Sequence, residues 1–366
     1  MVDVLVSGAG IAGSTLAYWL SRHGFEVTVV ERAAGLRSSG NPVDVRGPAL
    51  EVVSAMGVLP ELHAAATAVD RLRFVDARGR GRASMRVGDR ERGEVELARA
   101  DLATILAGAS RDHVEMRWGD SISEIEQSSS GVTVGFESGE RAHYDYVLGA
   151  DGLHSAVRRL TFGDDREFVR HMGIYIATVP LTRAAGAGDE VVMYNSPGRS
   201  VSVHPAGGRP IAAFMFRRAP VAGLDHRDGE AQRRLLVAAF AGRMGPFEDV
   251  LDEVRAGGEL YFDAVSKVSL PRWSRGRVAV VGDAASCLSL FGDGSSLAIA
   301  GAHTLAEELA RAPHDPDTAW ERYERRHRDR IGASHRGVRF ASALMVPGSR
   351  PAIGLRNTAV RLFAAA

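Results

Sequence analysis

The 366-residue sequence has one cysteine, Cys287, so no disulfide can close within the chain, and a reducing cytoplasm is the expected compartment. It also has one lysine, Lys267, and the rest of its 45 cations are arginine, which we read as GC-rich coding bias. There is no net charge, because 45 acids match the cations, so no global field favours nucleic acid or an anionic membrane. The arginine-dense stretch 322–339 contains Glu324 and Asp329 and reads as a solvated helix face. No apolar run approaches the roughly 20 residues that a membrane helix needs. The apolar N-terminus lacks a basic n-region, carries Asp3 and is broken by Gly8, Gly10 and Gly13, so it is not a signal peptide. The twelve histidines form no spaced ligand cluster, so no metal is expected, and there is no Gly-x-Ser-x-Gly elbow for an acyl hydrolase.

What remains is a soluble chain, 45% hydrophobic, long enough for two lobes. The pattern predicts strand over Val2–Ser7, helix over Ser14–His23 ended by Gly24, and strand over Glu26–Val30, a βαβ unit with parallel strands. Helices are expected at Pro48–Met56 and Asp101–Ala109, and strands at Arg71–Asp76, Ala83–Val87, Val132–Phe136 and Tyr144–Leu148. Between His171 and Arg217 four short β runs are separated by Gly, Pro and Asn turns, which predicts an antiparallel sheet. Helical sequence resumes near Glu230 and again from Ala298 onward.

Three strand ends carry chemistry. Gly8-Ala9-Gly10-Ile11-Ala12-Gly13 follows a strand and opens a helix, as a dinucleotide turn requires. Gly8 permits the tight turn, Gly10 lets backbone approach a pyrophosphate, and Gly13 packs helix on strand, while the helix N-terminus faces the phosphates. Glu31 ends the next strand, where it can accept hydrogen bonds from a ribose. The fingerprint does not separate NAD from FAD. Asp151-Gly152 and Gly282-Asp283 each end a further strand. Either aspartate alone could be a helix N-cap, but two beside a dinucleotide turn exceed what a plain dehydrogenase needs.

With these motifs the chain resembles the FAD-dependent aromatic hydroxylases that share the para-hydroxybenzoate hydroxylase fold. It is most similar to the branch of tetracycline-degrading and actinobacterial antibiotic-tailoring flavin monooxygenases. The resemblance rests on Gly8–Gly13 with Glu31-Arg32, Asp151-Gly152 with Ser155 and Arg158, and Gly282-Asp283-Ala284-Ala285. Arg99 in "RADLATIL" and the segment "GNPVDVRGPAL" match as well. It implies an α/β Rossmann-like FAD-binding domain (1–70, 99–165 and 266–312) interrupted by a β-rich substrate lobe (71–98 and 166–265), with C-terminal helices over 313–366. It implies an NAD(P)H-consuming monooxygenase that takes molecular oxygen and an aromatic or polyketide-like small molecule, by hydroxylation or Baeyer–Villiger oxidation. As partners it implies neither nucleic acid nor membrane, and a monomer or homodimer. Gly8, Gly10, Ile11, Ala12, Gly13, Glu31, Arg32, Asp44, Arg99, Asp151, Asp283, Gly292, Gly294 and Ser295 would then hold FAD. Arg37 would meet NADPH or NADH.

The substrate pocket is expected to be lined by Phe214 and Phe216, which share one strand face, with Tyr175, Met193, His204 and Arg46; the alternative for Phe214, Phe216, Tyr175, Met193 and His204 is the lobe's own core. A second dinucleotide turn and the halogenase Trp-x-Trp-x-Ile-Pro signature are absent, which fits a nicotinamide that visits briefly. The chain departs from the family at the last motif: Ser286 stands at the His or aromatic position, Leu290 at the proline position, and the loop to Gly292 is one residue shorter. That departure leaves open a flavoprotein that guides a non-redox cyclisation, or one that only sequesters its ligand.

Overall fold

The computed structural model describes residues 1–36, 42–88, 92–182, 188–287, 293–335 and 338–364. The chain opens with β1 (Asp3–Ser7), α1 (Ile11–Arg22) and β2 (Glu26–Glu31), the expected βαβ unit. β3 (Pro42–Val45), α2 (Pro48–Ala55) and α3 (Leu59–Ala64) follow, then β4 (Arg71–Val75), β5 (Gly81–Arg86), β6 (Val95–Ala98) and α4 (Arg99–Ser110). After β7 (Glu115–Trp118) come β8 (Ile122–Gln127), β9 (Val132–Phe136), β10 (Arg141–Tyr144), β11 (Tyr146–Gly149), α5 (Ala156–Phe162) and α6 (Asp165–Phe168). The next stretch holds β12 (Val169–Pro180), β13 (Glu190–Ser196), β14 (Arg199–His204), β15 (Ile211–Arg217), α7 (Gly229–Phe240), α8 (Glu248–Arg255) and β16 (Tyr261–Val268). The chain ends with β17 (Ser274–Arg275), β18 (Val278–Val280), α9 (Asp283–Ser286), α10 (Asp293–Arg311), α11 (Pro316–His335), α12 (Val338–Met345) and α13 (Arg350–Ala364).

Six strands form the first sheet in the order β17-β18-β11-β1-β2-β7, all parallel except for β17. Its central strands are near-continuous apolar runs because helices cover both faces. β18, β11 and β1 are neighbours, so the three motifs at their carboxyl ends lie side by side, at the sheet edge where ligands of open α/β folds bind.

The second sheet runs β16-β12-β15-β14-β13-β4-β5. Most of its pairs are antiparallel as expected, but β4 joins β13 in parallel, because β4 arrives from the other lobe rather than by a hairpin. Alternation divides this sheet into two faces. One buries Tyr175, Phe214, Phe216 and Phe262 against Leu236 and Phe240 of α7 and Leu251 of α8. The other is covered by the C-terminal helices only at one end, where Phe74, Met193 and Met215 meet Val346 and Val360. Between the sheets lies a ribbon of β3 and β6, which draws Val95–Ala98 onto Pro42–Val45. Sequence periodicity did not show this pair because each strand has only four residues.

Among the described residues no helix is long and apolar enough to cross a membrane. Helix α10, whose N-terminus faces the ribbon, is held from behind by α11. A Cβ at Gly301 would lie 2.7 Å from His327 Nε2, so the helices cross in close contact. His327 is buried, its Nδ1 has no partner, and burial pushes its pKa down to about 3. It therefore folds neutral, and below pH ~6.5 the unfolded chain binds a proton that the folded chain refuses. His327→Phe should lessen the acid loss of stability by about 1.4 kcal/mol per pH unit between roughly 6.5 and 4, read as the wild-type minus variant difference in urea unfolding at pH 7 and pH 5.

Candidate flavin site

The turn after β1 is shaped by backbone contact. Gly8 has φ +100°, and a Cβ there would meet Ala150 O at 2.7 Å and Asp151 Cα at 2.9 Å. A Cβ at Gly13 would lie 1.8 Å from Gly8 O. These two glycines are demanded by the protein itself. Gly10 differs: it is exposed, and a Cβ there would meet nothing within 4 Å. The space above Gly10 belongs to no side chain, and it lies at the N-terminus of α1, where anions are favoured. Ile11 and Ala12 begin that helix and are buried, and a Cβ at Gly282 (φ +63°) would reach Ala12 Cβ at 2.9 Å. The β18 turn thus passes directly over the first turn of α1.

Glu31 is anchored at the rim of this turn. Its Oε2 accepts from the Ala9 amide and its Oε1 from the Ala33 amide, both at 2.9 Å. Each carboxylate oxygen keeps a lone pair for a ribose hydroxyl. Arg32 beside it is exposed.

Asp151 and Asp283 are joined through a third residue. Asp151 accepts from Ser155 Oγ and from the amides of Ala156 (2.8 Å) and Val157 (3.1 Å), so it holds the start of α5. Burial pushes its carboxyl up and those donors pull it back. Arg158, one turn on, is wholly buried: Nε donates to Asp165 Oδ1 (2.8 Å), Nη1 to Ala284 O (3.1 Å) and Nη2 to Leu153 O (2.6 Å). It ties the loop after β11 to α9, where Asp283 sits. Burial raises the Asp283 carboxyl, while the Arg99 charge and a hydrogen bond from Cys287 lower it. Tyr261 on β16 feels Asp263, Arg99 and Asp283, and burial holds its phenol above the usual range. Asp263 lies 3.2 Å from His154 Nε2, whose ring stacks on His226 at 4.1 Å.

The ribbon closes the other side. Ser295 Oγ and Ser296 Oγ, in the first turn of α10, donate to Asp44 O at 2.8 and 2.9 Å. Arg46 N donates to Ser296 Oγ (3.0 Å), and its guanidinium pairs with Asp293. Gly294 stands exposed in that turn. Arg37 and Gly292 lie outside the described residues.

The expected pocket residues divide. Tyr175, Phe214 and Phe216 are buried at 3%, 0% and 2% exposure against α7 and α8. Phe214 and Phe216 lie 5.2 and 5.9 Å from Phe240, and Tyr175 accepts the Val221 amide. They form the lobe's own core, because their strand face points away from the flavin domain; expecting them in the pocket was wrong. Met193 shares the other face but is sealed by the C-terminal helices, so it too is corrected to core. His204 reaches the ribbon: its Nε2 lies 3.2 Å from Glu96 Oε1.

The rest of that face carries the row Tyr261–Thr178–Ala213–Ser202, in register across four strands, with Tyr261 and Ala213 partly exposed and Thr178 and Ser202 buried. Sequence reasoning missed this row, together with Glu96 and Asp263. Period-two alternation carried the signal, since Thr178, Ala213 and Ser202 are the small or polar positions out of phase with the aromatics.

A parallel α/β sheet with a glycine turn, an anchored acid at its rim and two tied acidic loops defines a dinucleotide-binding protein carrying a second, β-rich lobe. Residues 1–335 match the FAD binding domain family, and the chain belongs to that family. It is 39% identical over 339 residues to an uncharacterised protein of Mycobacterium tuberculosis, covering 88% of this chain and 89% of that one. It is 34% identical over 352 residues to a flavin-dependent monooxygenase of Legionella longbeachae, covering 94% and 90%. The crystal structure of tetracycline destructase Tet(51) matches it with a TM-score of 0.86 at 31% identity, covering 100% of this chain and 96% of that one. The protein is an FAD-dependent monooxygenase.

Two substitutions separate turn from ligand. Gly10→Val should leave urea stability of the apoprotein nearly unchanged, since its φ of −74° suits any residue, yet weaken FAD binding by about 10–100-fold through overlap with the pyrophosphate. Flavin fluorescence titration reads the second effect. Arg158→Met should cost about 1–3 kcal/mol for each stranded carbonyl, read as a lower urea midpoint.

Proposed function

We propose that this monooxygenase uses FAD, reduced by NADPH or NADH, to place one oxygen atom from O2 on a planar, hydroxylated polycyclic metabolite. The observation that carries the reading is the adjacency of β18, β11 and β1, which brings Gly10, Asp151 and Asp283 to one sheet edge facing the lobe. The Tet(51) likeness over the whole chain supports a polycyclic substrate. So do the small side chains of Ala213 and Ser202 beside Tyr261 on the lobe face opposite the aromatic core.

The residue roles follow from position. Gly10 and the first amides of α1 hold the pyrophosphate, Glu31 the ribose, and Asp283 with Arg99 the ribityl chain. Ile11, Ala12, Arg32, Asp44, Asp151, Gly294 and Ser295 complete the cradle; Gly292 as a further flavin contact and Arg37 as the contact of the nicotinamide cofactor rest on the sequence resemblance alone. When bound, FAD supplies the two-electron chemistry with nicotinamide and oxygen. The N-terminus of α10, fixed to the ribbon by Ser295 and Ser296, points its positive end at the site and favours negative charge there. Segments 1–70, 99–165 and 266–312 hold the flavin, 71–98 and 166–265 the substrate. The buried Cys287 suits the cytoplasm, and the enzyme works as a monomer or homodimer. The monooxygenase relatives weigh against a flavin kept only for a non-redox cyclisation.

FAD-loaded protein should oxidise NADPH or NADH faster when tetracycline or a hydroxyanthraquinone is added, and mass spectrometry should find a product one oxygen atom heavier. Unchanged cofactor consumption across such a panel, with no oxygenated product, would sink the substrate assignment.

A further inference from the structure

Two acids face each other across the ribbon. Asp44 and Glu96 are direct partners in the β3–β6 register, so their side chains leave the ribbon on one side. Val43, Val45, Val95 and Leu97 leave on the other and pack into the flavin-domain core. The acids therefore point towards the lobe. Glu96 shows where they arrive: its Oε1 accepts from Thr67 Oγ1 and from His204 Nε2. His204 Nδ1 accepts the Ala206 amide at 2.9 Å, so the proton of the neutral ring sits on Nε2 and is given to Glu96. His204 stands one pleat from Ser202, next to the row that Ser202 shares with Ala213, Thr178 and Tyr261.

Asp44 is held differently. Its backbone carbonyl is fixed by Ser295 and Ser296, while among the described residues no donor reaches its carboxyl. Burial comes first in raising that carboxyl to about 6, followed by the charge of Glu96, with Glu94 and Asp293 adding to it and Arg46 opposing. Those are the charged groups facing it from β6, from the turn before β6, from α10 and from the residue just past its own strand; His204 faces Glu96 from the lobe.

We propose that Asp44 is the proton acceptor for an acidic hydroxyl on the substrate ring, with Glu96 and His204 setting its position and basicity. The substrate O–H bond breaks, its electron pair stays on the substrate oxygen, and an O–H bond forms on Asp44. The resulting phenolate or enolate is electron-rich at the neighbouring or opposite carbon, where an electrophilic oxygen is received. The step consumes no oxidant, and the proton returns to water as product leaves. Glu96 and His204 are positioning residues; Asp44 is the group that touches substrate.

This inference rests on the hydroxylated-ring reading, and its test needs no turnover. Alizarin, a hydroxyanthraquinone that changes colour when its hydroxyl ionises, is bound to FAD-loaded protein, and the difference spectrum is recorded. The pH is held about one unit below the free dye's own midpoint, where the free dye is neutral. In the wild type the bound dye should be ionised there with its proton kept on the protein, so a pH-stat should record no proton released on binding; Asp44→Asn should leave the dye neutral or release about one proton per dye ionised. Equal proton release by the two proteins, a bound dye that stays neutral in the wild type, or no dye bound at all would overturn the proposal. If Asp44→Asn fails to fold or loses its flavin, proton release by the wild type decides alone. A dye ionised with its proton kept, but without dye-stimulated NADPH oxidation, would instead sink the oxygenation reading and leave the proton acceptor standing.

Discussion

The guanidinium of Arg158 lies wholly inside the protein and donates to three segments at once: the loop after β11, the start of α6 and helix α9. A buried cation is tolerated only with its donors met, so these segments share one geometry. Asp151 is placed by the helix that carries Arg158, and Asp283 by the carbonyl-bearing turn that Arg158 grips. Arg158 therefore fixes the relative position of the two acids together with the parallel pairing of β11 and β18. The glycine turn joins them by van der Waals contact, with Gly8 against Asp151 and Gly282 against Ala12.

Around that fixed edge, alternation along strands distributes the chemistry. In the lobe, aromatic positions face α7 and α8, while Thr178, Ala213 and Ser202 face the flavin domain. In the ribbon, valines and Leu97 face the core, while Asp44 and Glu96 face the lobe. Two polar strand faces thus confront each other, with the N-terminus of α10 at their side. Packing needs supply the apolar half of each strand, which leaves the other half free to carry function.

Much of the flavin site was legible in the chain because its features are local. Gly13 answers to Gly8 O five residues back, and Glu31 ends the strand that follows, although the contact of Gly8 with Ala150 and Asp151 belongs to the assembled sheet. The acids after β11 and β18 could be seen as strand-end pairs, and their place at the carboxyl edge followed from the parallel-sheet rule, while their adjacency came only with the strand order β18-β11-β1. The ribbon was not legible, since four-residue strands carry too little periodicity. Nor was the part played by Asp263 and Tyr261, whose partners Arg99 and Asp283 lie far away in the chain.

The aromatic residues show where local reading stops. That Phe214 and Phe216 share a face is set by the pleat of one strand, and so could be stated from residue order alone. Whether that face became core depended on which side α7 and α8 came to cover, with α12 and α13 sealing one end of the opposite side. Backbone periodicity is a short-range property of covalent geometry. The burial of a sheet face depends on elements tens of residues away, so only the assembled fold could tell which face became core.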